Sequence, residues 1–308
     1  MPSPTSRPLA YALLGLTIAV GCPAPPPHAP TSTEPGGSQS SPEPEPPIRA
    51  PGIRIEQALE DIQKKSLCNR VMGCSPATIL LQAGASATPS ILARLESGNP
   101  DATWYIALID LLGNFEDSRA LPFLRSRLED RRWLVRSRSA IALGRLKDEG
   151  ARAKLMKMVE NPSLEVASVA SAAYALVRLG DLQHTDTLLG FATEDAIRGQ
   201  NWGWSEIVLE LATDLRLQRA APGFRFACQH RDFFLRRTAI RGIRRIRDTG
   251  GLACLIDRLA DPIPSLRQEA HGALQQLTGK DLPLESAPWE AWCAQTGCRP
   301  HPDPKKPQ

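Results

Sequence analysis

The sequence predicts an all-α protein, a right-handed α-solenoid of about six two-helix repeats over residues 53–298. Three observations predict it. Apolar residues recur at helical spacing. The stretches carrying them return at an interval close to 31 residues. Asp or Asn opens the link between two helices, and Gly and Asp close each unit, as helix punctuation requires.

The copies follow one another along the chain. The first holds Asn99, Trp104, Leu112, Gly113, Phe115 and Asp117. The second runs from Asp130 through Val135 and Arg136 to Ala142, Leu143, Gly144, Leu146 and Asp148. The third begins at Asn161 and ends in Ala175, Leu176, Gly180 and Asp181. A looser fourth, residues 190–214, ends in Ile207, Val208, Leu209, Glu210, Leu211 and Ala212. The fifth repeats the second with Leu235, Arg236, Gly242, Ile243, Ile246 and Asp248, and the sixth with Leu266, Arg267, Ala273, Leu274 and Leu277.

Each unit reads as two helices. In the fifth copy Leu235, Ala239, Gly242, Ile243 and Ile246 form one apolar stripe at helical period. First helices are shorter and are predicted over 121–128, 153–159 and 252–259. No unit can bury its stripe alone, and stacking buries it.

The run Val/Leu-Arg, then Ala-Leu-Gly-x-Leu-x-Asp, then a proline in the next first helix (Pro89, Pro122, Pro222) resembles the HEAT-like repeats of phycobilisome lyases. The closing residues 277–281 with Trp289 and Trp292 resemble the end of bacterial HEAT arrays, where tryptophans pack over the last helix pair. The resemblance covers roughly residues 77–292. It implies a fold; this fold serves many unrelated roles. It also implies a structural role for Arg136, Arg236 and Arg267, which the family pairs with acids in a ladder between repeats.

The ends differ in character. Residues 9–20 are a 12-residue apolar run, too short to span a bilayer as a helix, which takes roughly 20 residues. The run ends in Ile18, Ala19, Val20, Gly21 and Cys22, which resembles the lipobox of bacterial lipoproteins, with Ala19 where that family usually has Leu. The resemblance implies a signal peptide over 1–21 and lipidation at Cys22; an ordinary cleaved signal with an incidental cysteine is the alternative. Residues 23–51 contain 11 prolines and little to bury, so 22–52 is expected to be a disordered tether. Residues 299–308 are expected to be a disordered tail. The protein is then expected in a bacterial cell envelope, anchored to membrane through lipid.

Exported chains meet an oxidising compartment. Cys68 with Cys74, and Cys293 with Cys298, are therefore candidate disulfides, one at each end of the repeats. Cys228 and Cys254 lie on apolar helical patterns and read as buried thiols.

No reaction is legible. The five histidines are scattered, without His-Glu or His-x-x-x-His spacing, and there is no phosphate-binding glycine loop and no GxSxG. HEAT enzymes that bind iron carry repeated His-Glu pairs, and none occurs here. No catalytic residue, metal or cofactor is expected.

Charge is the informative feature. The whole chain has 37 basic and 33 acidic residues, but residues 217–247 hold nine arginines against one acid, Asp232. Helical geometry places Arg237, Arg241, Arg244 and Arg245 opposite the apolar stripe. Like charges four apart repel on an isolated helix, and an anionic partner would relieve that. The alternative is a solvated face partly neutralised by Glu210. A second candidate is the insert holding Trp202 and Trp204, which breaks the period; the alternative is that these rings plug the gap left by the misfit. The expected function is an interaction scaffold with a protein partner, an acidic one where the arginine face makes the contact. Binding of an anionic polymer or lipid headgroups through the arginine face is the second reading, and an enzyme of unrecognised type the third. Nucleic acid is a poor partner for an exported chain.

Overall fold

The structure, a computed structural model, describes residues 51–63, 76–99, 103–199 and 202–298. The expected signal segment, Cys22, the expected tether as far as residue 50, Cys68, Cys74 and the expected tail from residue 299 lie outside the described residues. All regular structure among the described residues is helical, and no helix there is long and apolar enough to cross a membrane.

The chain divides into two compact units, residues 1–111 and 112–308. In the first, α1 (Pro51–Gln63) packs on α2 (Pro76–Ala83) and α3 (Thr88–Ser97), and α4 (Thr103–Leu112) follows. Helix α1 starts two residues before the expected boundary at 53. It buries Ile55, Ala58, Leu59 and Ile62 at helical spacing. Arg94 of α3 ties back to Gln63 at 2.5 Å and to Glu56 at 3.3 Å.

The second unit is the stack of pairs. Its first helices are α5 (Leu121–Arg127), α7 (Arg152–Glu160) and α9 (Thr185–Gly190), followed by α12 (Ala221–Ala227) and α14 (Leu252–Asp257). Its second helices are α6 (Trp133–Arg145), α8 (Val166–Arg178), α11 (Trp202–Asp214), α13 (Phe233–Ile246) and α15 (Pro264–Thr278). Each second helix packs on the next, and α5, α7, α12 and α14 pack on the second helices of their own pairs. The break in period is a short extra helix, α10 (Glu194–Gly199), which packs on α11 and α12. Helix α14 ends earlier than the predicted 259, because its last turn tightens into a 3₁₀ turn over Arg258–Ala260.

Small residues set the closeness of the stack. A Cβ on Gly144 of α6 would lie 2.7 Å from the Cα of Ala175 on α8. Helix α8 carries mostly alanine and serine inward and is buried from Ala170 to Leu176.

Second helices end alike. Lys147, Arg216 and Arg247 take positive φ of 53°, 53° and 58°, and Glu116, after α4, takes 52°. Gly180 and Gly279 stand at the same place after α8 and α15. In α6 the Lys147 amide donates to the Gly144 carbonyl and the Asp148 amide to the Leu143 carbonyl. The ends of α8, α11 and α13 repeat this double closure. Asp148 and Asp248 then cap the next turn, each accepting from the amide two residues on.

Two disulfides are present among the described residues. Cys293 joins Cys298, and Cys228 joins Cys254 with Cα atoms 6.4 Å apart. The reading of Cys228 and Cys254 as thiols is thereby corrected. Cys228 caps the end of α12 and Cys254 lies near the start of α14, and the stacking of these successive first helices brings them within bridging range. The array closes on α16 (Ser286–Thr296), where Trp289 is fully buried and donates to the Pro283 carbonyl at 2.7 Å, with Trp292 edge-on to it.

Candidate functional site

Equivalent positions on neighbouring second helices lie side by side: the Ser137 and Ser168 hydroxyls, 31 residues apart, are 3.5 Å from each other. Side chains at one repeat position therefore form rows across the stack, and the charged rows decide what the surface can do.

One row is internal. Arg236 donates through Nε and Nη2 to Asp261 at 2.8 and 3.1 Å, and through Nη1 to the carbonyls of His230 and Arg231. Arg136 bonds Glu165 and the carbonyls of Asp130 and Arg131. Arg267 donates to the Asp261 carbonyl at 2.8 Å. Asp261 is buried, which raises its pKa, but the bond from Arg236, the Ile263 amide and the charges of Arg236 and Arg258 outweigh this and hold it below the ordinary value. Arg136 and Arg236 pair with acids of the next repeat, as the family resemblance implies, whereas Arg267 bonds a backbone carbonyl and no acid among the described residues.

A second row crosses the second helices. Arg138 of α6 is 2% exposed and reaches over the small side chains of α8 to Glu210 on α11, 3.6 Å away. Glu206, one turn before Glu210, is 4% exposed, and its Oε2 has no hydrogen-bond partner. Burial, then the Glu210 charge, raise the pKa of Glu206 to about 8 against the pull of Arg138. Its carboxyl is thus protonated at neutral pH. Farther along, Glu269 of α15 takes both Arg237, at 2.9 Å, and Arg241, at 3.0 Å. Compensation for Arg237 and Arg241, which the sequence around α13 lacks, comes from Glu269 in the next repeat.

The remaining members of the arginine cluster divide by position. Arg225 is bound to Asp248 and Arg219 to Asp186. Arg244 and Arg245 are exposed, and so are Lys147, Arg216, Arg247 and Lys280. None of these six has an ion pair among the described residues. All stand at the C-terminal ends of second helices, so they share one edge of the second unit. The candidate surface is this edge; half of the four arginines predicted from sequence, Arg237 and Arg241, are engaged within the stack. Lys147, Arg216, Arg247 and Lys280 were not singled out from sequence. The available signal was the residue before or beside each closing Asp, which is basic in several repeats. Leu182, immediately after Asp181, is on the same edge and 69% exposed.

The tryptophan insert is placed differently. Trp204 is half-buried and packs against the core of the second unit. Trp202 opens α11, and its side chain lies outside the description. Among the described residues no group of three or more His, Cys, Asp or Glu could hold a metal ion.

Comparison with known proteins agrees with the repeat reading. The family of HEAT repeats matches over residues 88–176. No curated protein matches the chain. Among solved structures, human deoxyhypusine hydroxylase in complex with glycerol is similar at 16% identity and a TM-score of 0.38, over 74% of this chain and 99% of that one. The complex of CpcE and CpcF of phycocyanin lyase from Nostoc sp. PCC7120 is similar at 16% identity and a TM-score of 0.45, over 86% of this chain and 100% of that one. Those proteins include enzymes, and neither likeness is close enough to carry an activity across.

Proposed function

We propose that the chain is an exported interaction scaffold, held at a membrane through Cys22, that meets an anionic partner along the basic edge and performs no reaction of its own. The observation that carries this reading is the contrast in pairing. Arg136, Arg236, Arg237 and Arg241 are all bonded to acids inside the stack, whereas Lys147, Arg216, Arg244, Arg245, Arg247 and Lys280 are exposed and have no ion pair among the described residues. Unpaired cations on one edge steer and hold a partner of opposite charge.

Photo-crosslinking in the native host tests it, with the reactive residue placed at position 245. The expected result is a reproducible adduct that disappears at high ionic strength, and none when the reactive residue is at position 231. Equal crosslinking from both positions, or insensitivity to salt, contradicts the reading. The anchor is tested separately: Cys22→Ser is expected to release the protein from the membrane fraction or leave it uncleaved.

A further inference from the structure

We infer that the basic edge of the second unit docks on the anionic headgroups of a phospholipid bilayer, with Leu182 as its apolar contact. This rests on the reading of the edge as the partner-binding surface and names that partner.

The first support is conformational. A cation in the last helical turn, such as Arg244 or Arg245, is favoured by the helix dipole alone. Lys147, Arg216 and Arg247 stand past the helix, at positive φ, a conformation that disfavours any residue with a Cβ. Glycine meets the same requirement at 180 and 279. Three repeats nevertheless place a long exposed cation there, while Glu116 holds the position after α4, and the conformation itself calls for no cation.

The second support is the spacing and chemistry of the row. Neighbouring packed helices lie roughly 10 Å apart, so these cations are spread across several helix widths. A protein interface concentrates its affinity in a buried apolar or aromatic centre. This edge has none. Dispersed single cations suit a surface that presents phosphate everywhere. The third support is Leu182. The equivalent residues after the other closing turns are Ser118, Glu149, Gln218 and Thr249, all polar. Leu182 is the leucine at this position among the described closing turns, and it stands beside Gly180, where the cation is missing. A leucine amid cations is the side-chain composition of a surface that lies against the headgroup and acyl boundary.

The test uses the chain from residue 22 onward without acyl groups, which retains every described element. It is sedimented with vesicles of phosphatidylcholine alone or with phosphatidylglycerol added. Binding is expected only to the anionic vesicles and to fall steeply with salt. Changing Arg244 and Arg245 to Gln and Arg247 to Gly together is expected to weaken binding at least tenfold and to flatten the salt dependence. Arg231→Gln, at the opposite end of α13, is expected to change it less than twofold. Leu182→Ser is expected to weaken binding severalfold without altering the salt slope. Should the triple variant lose its helical circular dichroism, Lys147→Gly with Arg216→Gly reads the same edge. No binding to anionic vesicles, equal binding to neutral ones, or a folded edge variant that binds as well as the parent overturns the inference. Binding to soluble polyphosphate without binding to vesicles also overturns it. A protein crosslinked from position 245, with no vesicle binding, would leave the scaffold reading standing and remove the bilayer.

Discussion

Arg225 grips Asp248 with two hydrogen bonds, Nε to Oδ2 at 2.7 Å and Nη2 to Oδ1 at 2.5 Å, and Arg125 holds Asp148 through the same atoms. The same aspartates close one helix through their amides and cap the next turn through their carboxylates. One residue thus joins three segments in each of two repeats. Asp248→Ala removes a cap and leaves a half-buried guanidinium without its acid, and is expected to cost about 2 kcal/mol. Thermal unfolding followed by circular dichroism measures it. A loss below about 0.5 kcal/mol would show that the joint is ornamental.

Gly250 has a related constraint. A Cβ there would lie 2.1 Å from Nη2 of Arg225. Gly250→Ala is expected to displace that side chain and lower the melting temperature by less than Asp248→Ala does. Lowering it by as much or more would mean that the backbone, and not the ion pair, needs the glycine.

Lys147 makes the opposite prediction. Its φ of 53° favours glycine. Lys147→Gly is expected to raise stability by up to about 1 kcal/mol. A fall in stability would mean that the lysine side chain holds the stack.

Glu206 sets a pH dependence. The unfolded chain titrates this carboxyl near 4.5 and the folded chain at about 8. Between those values the folded state keeps a proton that the unfolded state has released. Stability from this group is therefore full below about 4.5 and is lost as pH rises towards 8, by a few kcal/mol in all. Glu206→Gln is expected to flatten that slope and to leave the variant more stable than the parent at pH 8. Parallel stability curves for the two proteins would remove Glu206 as the cause.

The Cys228–Cys254 link closes a separation of 26 residues. In the chain-entropy model such a loop contributes about 3 kcal/mol. The Cys228→Ala, Cys254→Ala double variant is expected to melt several degrees lower, and peptide mapping of unreduced protein should find the two cysteines linked. Free thiols at both positions in oxidised protein would contradict it.

The repeats were legible because Leu235, Ala239, Gly242 and Ile243 advertise a helix with one buried face, and because Asp148 and Asp248 punctuate it identically. The structural arginines were legible through the family resemblance. What was not legible depends on facing residues in different repeats. Glu269 neutralises Arg237 and Arg241 from the next second helix, and nothing near α13 in sequence announces it. Arg138 is buried because α8 is built of alanine and serine, so a long side chain can fold over it to Glu210. The cysteine pair crosses repeats in the same way. The basic edge needed both the stacking and the common left-handed turn, since Lys147, Arg216 and Arg247 become neighbours of one surface only when their helices lie side by side.

Arginine footprinting with phenylglyoxal, on the protein in its native envelope before and after a high-salt wash, tests the division between paired and partner-facing charge most directly. The expected result is that Arg216, Arg244, Arg245 and Arg247 are shielded until the wash and react readily after it, while Arg136 and Arg236 stay unreactive throughout. Edge arginines that react equally before and after the wash, or Arg236 reacting as fast as Arg245, would contradict it.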